Sequence, residues 1–264
     1  MFAIKKTLNL SCEQYHYECF STSVTKEEFT EKTKMCDVIL TQAIHDNYRD
    51  RDYLSTSYIL QTCSPDCRIV MVESFHFDFY YPDLTYLTLN EEMVTAPCSY
   101  HYVNMYRYFK QKREVSEYVH DHVNNFRVFS ADHLLKNASK SLHTLTNRYE
   151  NNVATYSRPN VTILSCRKFI EANYKKMLLF YTVNHPTKHL IKHVCNEICK
   201  QLNISPQLLD VDEMAKTKCI LYKCLQPLVD FPIQNENVYK TVDDYFFEYR
   251  LMGKDINKIK YKSI

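Results

Sequence analysis

The chain has 264 residues, enough for one large domain or two small ones with a full core. Its formal net charge is +2 with acids and bases interspersed, which argues against a basic nucleic-acid face and against a charged tail. A single glycine, Gly253, excludes any glycine-rich phosphate loop, and with it P-loop kinases and the usual dinucleotide fingerprint.

The glycine shortage comes with no tryptophan and 22 tyrosines. Glycine and tryptophan need G-rich codons, so the composition points to an AT-rich genome such as that of a large DNA virus or an intracellular organism. Its physical consequence is that turns normally built on glycine must use Asn, Asp or Ser. The longest apolar run, Met177 to Val183, is far too short to span a bilayer, and Lys5 and Lys6 interrupt any signal-peptide pattern. The cysteine count is odd, at 11, and the cysteines are scattered, so reduced thiols in a cytoplasmic protein are expected, in host cytoplasm or virion if the source is viral. The close pairs Cys63/Cys67, Cys195/Cys199 and Cys219/Cys224 lack zinc-knuckle spacing, so no structural metal is expected.

In chain order, Phe2 to Leu10 reads as a short helix and Tyr15 to Val24 as a strand. Thr25 followed by Glu28 is a capping box that starts a helix over 26–34. Asp37 to Thr41 is a buried strand, Asp52 to Cys63 a helix stopped by Ser64-Pro65-Asp66, and Arg68 to Glu73 a second buried strand. That spacing is a βαβ unit and predicts a sheet that is at least partly parallel. Tyr100 to Lys112, Val115 to Asn124 and the long stretch Ala131 to Thr155 read as helices. Ser157 to Leu164 is a linker or short strand. Pro186 to Leu202 is a helix with proline at its first position, which makes His185 its N-cap. Ser205-Pro206 opens another helical stretch, and Val238 to Met252 is an aromatic helix.

Chemistry in such a domain sits at the carboxyl ends of parallel strands. The loop after the first of these strands carries Gln42, His45, Arg49, Arg51, Ser55 and Thr56. Hydroxyls and arginines at a helix start suit an anion, while a solvated loop with ordinary caps is the plain alternative. The second strand is followed by Glu73-Ser74-Phe75-His76-Phe77-Asp78-Phe79-Tyr80-Tyr81-Pro82-Asp83. So aromatic a loop packs either in the core or against a flat ligand. Asn184-His185-Pro186 offers a histidine as general base. His189 and His193, four apart on a helix, are a metal pair or, more commonly, exposed histidines. Arg148, near the end of the long helix, reaches a cleft or forms an exposed ion pair.

Taken together, Cys36-Asp-Val-Ile-Leu-Thr-Gln42, Tyr48-Arg49, Ser55-Thr56, Phe77 to Asp83, Leu145 with Arg148, and Phe180 to Pro186 carry a family likeness. In that order they resemble the WcbI-type capsular polysaccharide biosynthesis proteins, candidate acetyltransferases that bind coenzyme A. The likeness spans about residues 1–205. It implies an α/β fold, a mostly parallel Rossmann-like sheet flanked by helices, with a helix-rich C-terminal half. Residues 1–205 would form the family domain and 206–264 a helical extension packed on it. The resemblance further implies a cofactor, coenzyme A or acetyl-coenzyme A, and a glycan or nucleotide-sugar acceptor, while charge and apolar run length argue against nucleic acid and a membrane span. His185 and Asn184 would be catalytic. Gln42, Arg49, Ser55, Thr56, His76, Tyr81 and Arg148 would bind the cofactor. The family's Gly-Asn-Cys-Gln loop has no clear match here. Ser11-Cys12-Glu13-Gln14 is a degenerate copy in one register, and a second register places the motif upstream of Met1. A protein that keeps the fold as a binding or structural component is the alternative to an enzyme.

Overall fold

A buried, β-branched strand beside a capped helix is the seed of the architecture. In the computed structural model, which describes residues 4, 7–8, 14–15, 24–46 and 48–262, Thr25 caps helix α1 (Lys26–Met35). Its hydroxyl accepts the Glu28 N–H at 3.2 Å, as the sequence predicts. The helix expected over 2–10, the strand expected over 15–24 and Cys12 fall largely or wholly outside the described residues.

By contact the chain divides into two units built from interleaved segments: 1–75, 142–172 and 186–215 in the first, 76–141, 173–185 and 216–264 in the second. The first unit holds a three-stranded parallel sheet in the order β1-β2-β6, with β1 Val38–Gln42, β2 Arg68–Val72 and β6 Val161–Leu164. Val38 pairs with Arg68 and Gln42 with Val72, and on the other side Ile69 pairs with Val161. The expected βαβ unit and parallel sheet are therefore present. Ile69, Val70, Met71 and Val72 are all buried, so both faces of β2 are covered, which is why it reads as an unbroken apolar run.

Helix α2 is shorter than expected, Thr56–Thr62. Asp52–Leu54 forms a separate 3-10 turn, and Ser55 caps α2 by accepting the Tyr58 N–H at 3.1 Å. One core cluster joins Phe29 of α1, Leu54, Ile59 and Leu60 around α2, and Ile69 of β2. Helix α7 (Lys188–Leu202) packs against β2 with Leu190, Val194, Cys195 and Ile198 fully buried. Its cap is Thr187, so His185 lies two residues ahead of the cap rather than on it. Proline fixes its own φ but does not force the first hydrogen-bonded turn to begin there; that bond is Ile191 N–H to Thr187 O, 3.1 Å. At the other end Asn203 takes the left-handed cap with φ 57°, and Arg68 donates to the last-turn carbonyls of Gln201 and Leu202. The stretch after Ser205-Pro206 is not helical until the 3-10 turn Glu213–Lys216; Leu208 instead bridges Leu8.

The second unit contains an antiparallel sheet that the sequence reading missed: β3 Leu84–Leu89 pairs with β4 Glu92–Met93, β5 His101–Tyr102 and β7 Lys260–Lys262. Tyr100 to Lys112 accordingly splits into β5 and helix α3 (Val103–Lys110). Val115–Tyr118 is helix α4, continued by a π-helical turn Val119–Val123. The long helix α5 runs Ala131–Tyr156 as expected, its first part in the second unit and the rest in the first. Arg167–Asn173 is the short α6, and α8 is Val238–Leu251. No helix among the described residues is long and apolar enough to cross a membrane.

Tyrosine fills the core of the second unit. Tyr80, Tyr81, Tyr102, Tyr118, Tyr222 and Tyr249 are fully buried. Each hydroxyl has a partner, as a buried phenol requires: Tyr80 donates to Tyr174 O at 2.6 Å, Tyr118 and Tyr222 meet at 2.7 Å, and Tyr222 donates to Asp83 at 2.9 Å.

Candidate active site

In the first unit, the carboxyl ends of the three parallel strands bring polar groups together. Gln42 ends β1, and its Nε2 donates a long 3.4 Å bond to the Glu73 carbonyl. Glu73 follows β2 directly and is fully buried. Its Oε1 accepts the Cys166 N–H and the Ser165 hydroxyl (3.3 Å), both just after β6. Its Oε2 is buried without a hydrogen-bond partner among the described residues. Burial pushes the Glu73 pKa up to about 7, against the pulls of the Cys166 N–H, the Ser165 hydroxyl and Arg148. Arg148 comes from α5 and donates to the Ser74 carbonyl at 3.1 Å.

The other expected residues of this unit are placed less openly. Thr56 is buried and clamps the loop: its hydroxyl accepts the Ile44 N–H at 2.8 Å, and its own N–H donates back to Ile44 O at 2.9 Å. Ser55 is buried as the α2 cap. Both hydroxyls thus hold backbone. Arg49 falls in the 3-10 turn Tyr48–Asp50, and its side chain lies outside the described residues. His193 stacks flat on Phe169 at 3.9 Å, which gives it a packing task, and His189 is exposed. Among the described residues no group of three or more His, Cys, Asp or Glu is arranged to hold a metal ion.

In the second unit, His185 and Asn184 sit on the segment 173–185, which threads through the tyrosine core. The Phe77 N–H donates to Val183 O at 2.7 Å, and the Tyr81 hydroxyl donates to Phe180 O at 2.9 Å. Tyr81 is only 2% exposed, and Phe77, Phe79 and Tyr80 are fully buried. The aromatic run is therefore core. Its rings are spent on Tyr174 and Phe180, which corrects the expectation that this loop and Tyr81 offer a surface on which a ligand stacks. His76 is half-buried and pairs through Nε2 with Asp78 Oδ1 at 2.5 Å.

Around His185 the contacts are dense. Thr182 Oγ1 accepts the N–H groups of Asn184 (3.3 Å) and His185 (3.1 Å) and donates to Asn184 Oδ1 at 3.1 Å. The Tyr100 hydroxyl donates to the same Oδ1 at 2.6 Å and lies 3.2 Å from His185 Nε2. His185 Nδ1 is buried without a partner among the described residues. Burial lowers the His185 pKa below its usual range, so the ring is neutral at pH 7. A neutral, positioned imidazole with a free ring nitrogen is a proton acceptor.

The family profile described as polysaccharide biosynthesis enzyme WcbI matches residues 6–207. The chain belongs to the WcbI family of polysaccharide biosynthesis enzymes. A solved structure of WcbI, described as a novel polysaccharide biosynthesis enzyme in a native form without a disulfide bond between coenzyme A and a cysteine, is similar over 97% of this chain and 88% of that one. Its TM-score is 0.77 at 20% sequence identity, a level at which the likeness carries the fold. Among curated proteins none matches the sequence. The WcbI-type resemblance and the α/β architecture read from the sequence are both borne out.

Sequence reasoning missed two residues of these clusters. Glu73 was legible as a carboxylate continuing the buried run Arg-Ile-Val-Met-Val, where an apolar residue would be ordinary. Tyr100 carried no local signal in a chain with 22 tyrosines.

Proposed function

We propose that this WcbI-family chain is a coenzyme A-dependent acyltransferase that esterifies a sugar hydroxyl. The observation that carries the reading is the half-buried, neutral His185, whose ring keeps its buried Nδ1 unpartnered among the described residues. Family membership supplies the substrate class, and the coenzyme A named with the similar WcbI structure supplies the donor. The residues present fit such a ligand. Each unit, taken by itself, leaves a buried polar atom without a partner among the described residues, Oε2 of Glu73 in the first and Nδ1 of His185 in the second. Gln42, Arg49 and Arg148 are assigned to holding the cofactor, the two arginines as phosphate partners.

Acetyl-coenzyme A supplies an acyl group activated as a thioester. His185 takes the proton of the acceptor hydroxyl, freeing its oxygen to bond to the acyl carbon. It then returns that proton to the sulfur as the carbon–sulfur bond breaks, leaving an ester and a free thiol. The Nδ2 amide of Asn184, whose Oδ1 is already committed, is a donor to substrate oxygen.

The test is transfer of labelled acetyl from acetyl-coenzyme A to capsular-type oligosaccharides, comparing wild type with His185→Ala. A loss of roughly 10²-fold or more in kcat, with coenzyme A still bound, is expected when a general base is removed. Unchanged transfer in that variant would remove His185 from the chemistry.

A further inference from the structure

We propose that Tyr100 is a positioning residue for His185: by committing its own proton to Asn184 it fixes the Nε2–H tautomer and leaves Nδ1 as the proton-accepting atom. The assignment deepens the acyltransferase reading and rests on it for its catalytic meaning.

Thr182 Oγ1 already accepts two backbone N–H groups, so its own hydrogen points outward, to the Asn184 side chain. The Asn184 atom it meets must therefore be the carbonyl oxygen, which fixes the orientation of the amide. Tyr100 also faces the Thr182 and Tyr86 side chains, but its 2.6 Å approach is to that same oxygen, and a phenol has one hydrogen to give. With that hydrogen spent, the 3.2 Å contact between the Tyr100 oxygen and His185 Nε2 is a bond only if the ring donates. A neutral imidazole with Nε2 protonated has its lone pair on Nδ1. That is the atom the structure leaves buried and unpartnered.

Tyr100 is itself held. Its carbonyl accepts the Tyr245 hydroxyl of α8 at 2.6 Å, and its ring meets His185 edge-on at 5.4 Å between centroids. Burial raises the Tyr100 pKa, so the phenol keeps its proton.

The tautomer is read directly by long-range proton–nitrogen NMR on protein carrying ¹⁵N-histidine, with His185 assigned by its absence in His185→Ala. The expected wild-type pattern is a protonated-type Nε2 and an unprotonated-type Nδ1. Tyr100→Phe removes the acceptor and should abolish the single fixed pattern, with kcat for acetyl transfer falling about 10-fold or more at unchanged KM. Asn184→Ala is the second variant: it frees the Tyr100 hydrogen for Nε2 and should move the ring proton to Nδ1, whether or not Tyr100→Phe folds. A wild-type ring protonated at Nδ1, or a tautomer indifferent to Asn184→Ala, overturns the proposal. The tautomer is measured without substrate, so a wild type that transfers no acetyl would defeat the acyltransferase reading and leave the role of Tyr100 over the ring decided separately.

Discussion

At the scale of single residues, Glu73 makes the sharpest statement about pH. Its carboxyl ordinarily titrates at 4.5, and in the fold it holds its proton up to about 7. Between those values the folded state binds more protons than the unfolded state, so stability falls as pH rises. The contribution is fully present below 4.5, declines through the window up to about 7, and is flat above it. The shift corresponds to a decline of about 3 kcal/mol. Urea denaturation of wild type and Glu73→Gln between pH 4.5 and 8 checks this. The wild-type curve should fall more steeply across the window than the variant's, since Asp83, whose carboxyl burial raises to about 6, adds the same slope to both. Parallel curves would mean that Glu73 ionises normally. The residue was visible in the sequence as the first position of its loop, but its burial depends on Ser165 and Cys166, about ninety positions on, which no local pattern supplies.

Among the elements, legibility followed hydrogen-bonding range. The α1 start needed only Thr25 and Glu28, and it was read correctly. The strands β1 and β2 needed only their own apolar runs, although β1, expected to be buried, is half-covered, with Thr41 its one buried residue. The strands around β3 escaped because β7 lies far down the chain and β5 has two residues, too few for an alternation to register. The helix starts at 52 and 186 shifted because 3-10 and irregular backbone occupied the positions that sequence signals assigned to the first turn. The expectation that turns dispense with glycine is met: Asn90, Asn203, Asn237 and Asp50 all have positive φ. The β3–β4 hairpin goes further and turns through Asn90 and Glu91 at φ 51° and 71°. Both central positions of this tight turn call for the left-handed region, which a glutamate enters at a cost of roughly 1–2 kcal/mol. Glu91→Gly should therefore stabilise the protein by about 0.5–1 kcal/mol in thermal or chemical denaturation, the relief exceeding glycine's entropic cost. A destabilised variant would show that the Glu91 side chain contributes more than its backbone strain removes.

For the whole molecule, the family was legible because its motifs are short and ordered along the chain, from the strand ending in Gln42 to Asn184-His185-Pro186. The interleaving of the two units was not, since each is assembled from three separated segments. Nor was the tyrosine core, whose hydroxyls are satisfied by partners such as Asp83 and Tyr174 that are distant in sequence. We propose that coenzyme A is the ligand this fold serves. Isothermal titration calorimetry with coenzyme A on the full chain tests it most directly. Saturable heat at one site is predicted, with affinity about 10-fold weaker in Arg148→Ala if the proposed charge-assisted phosphate contact is made. No heat with either coenzyme A or acetyl-coenzyme A, from a chain whose cooperative unfolding shows it to be native, would rule out coenzyme A as its ligand.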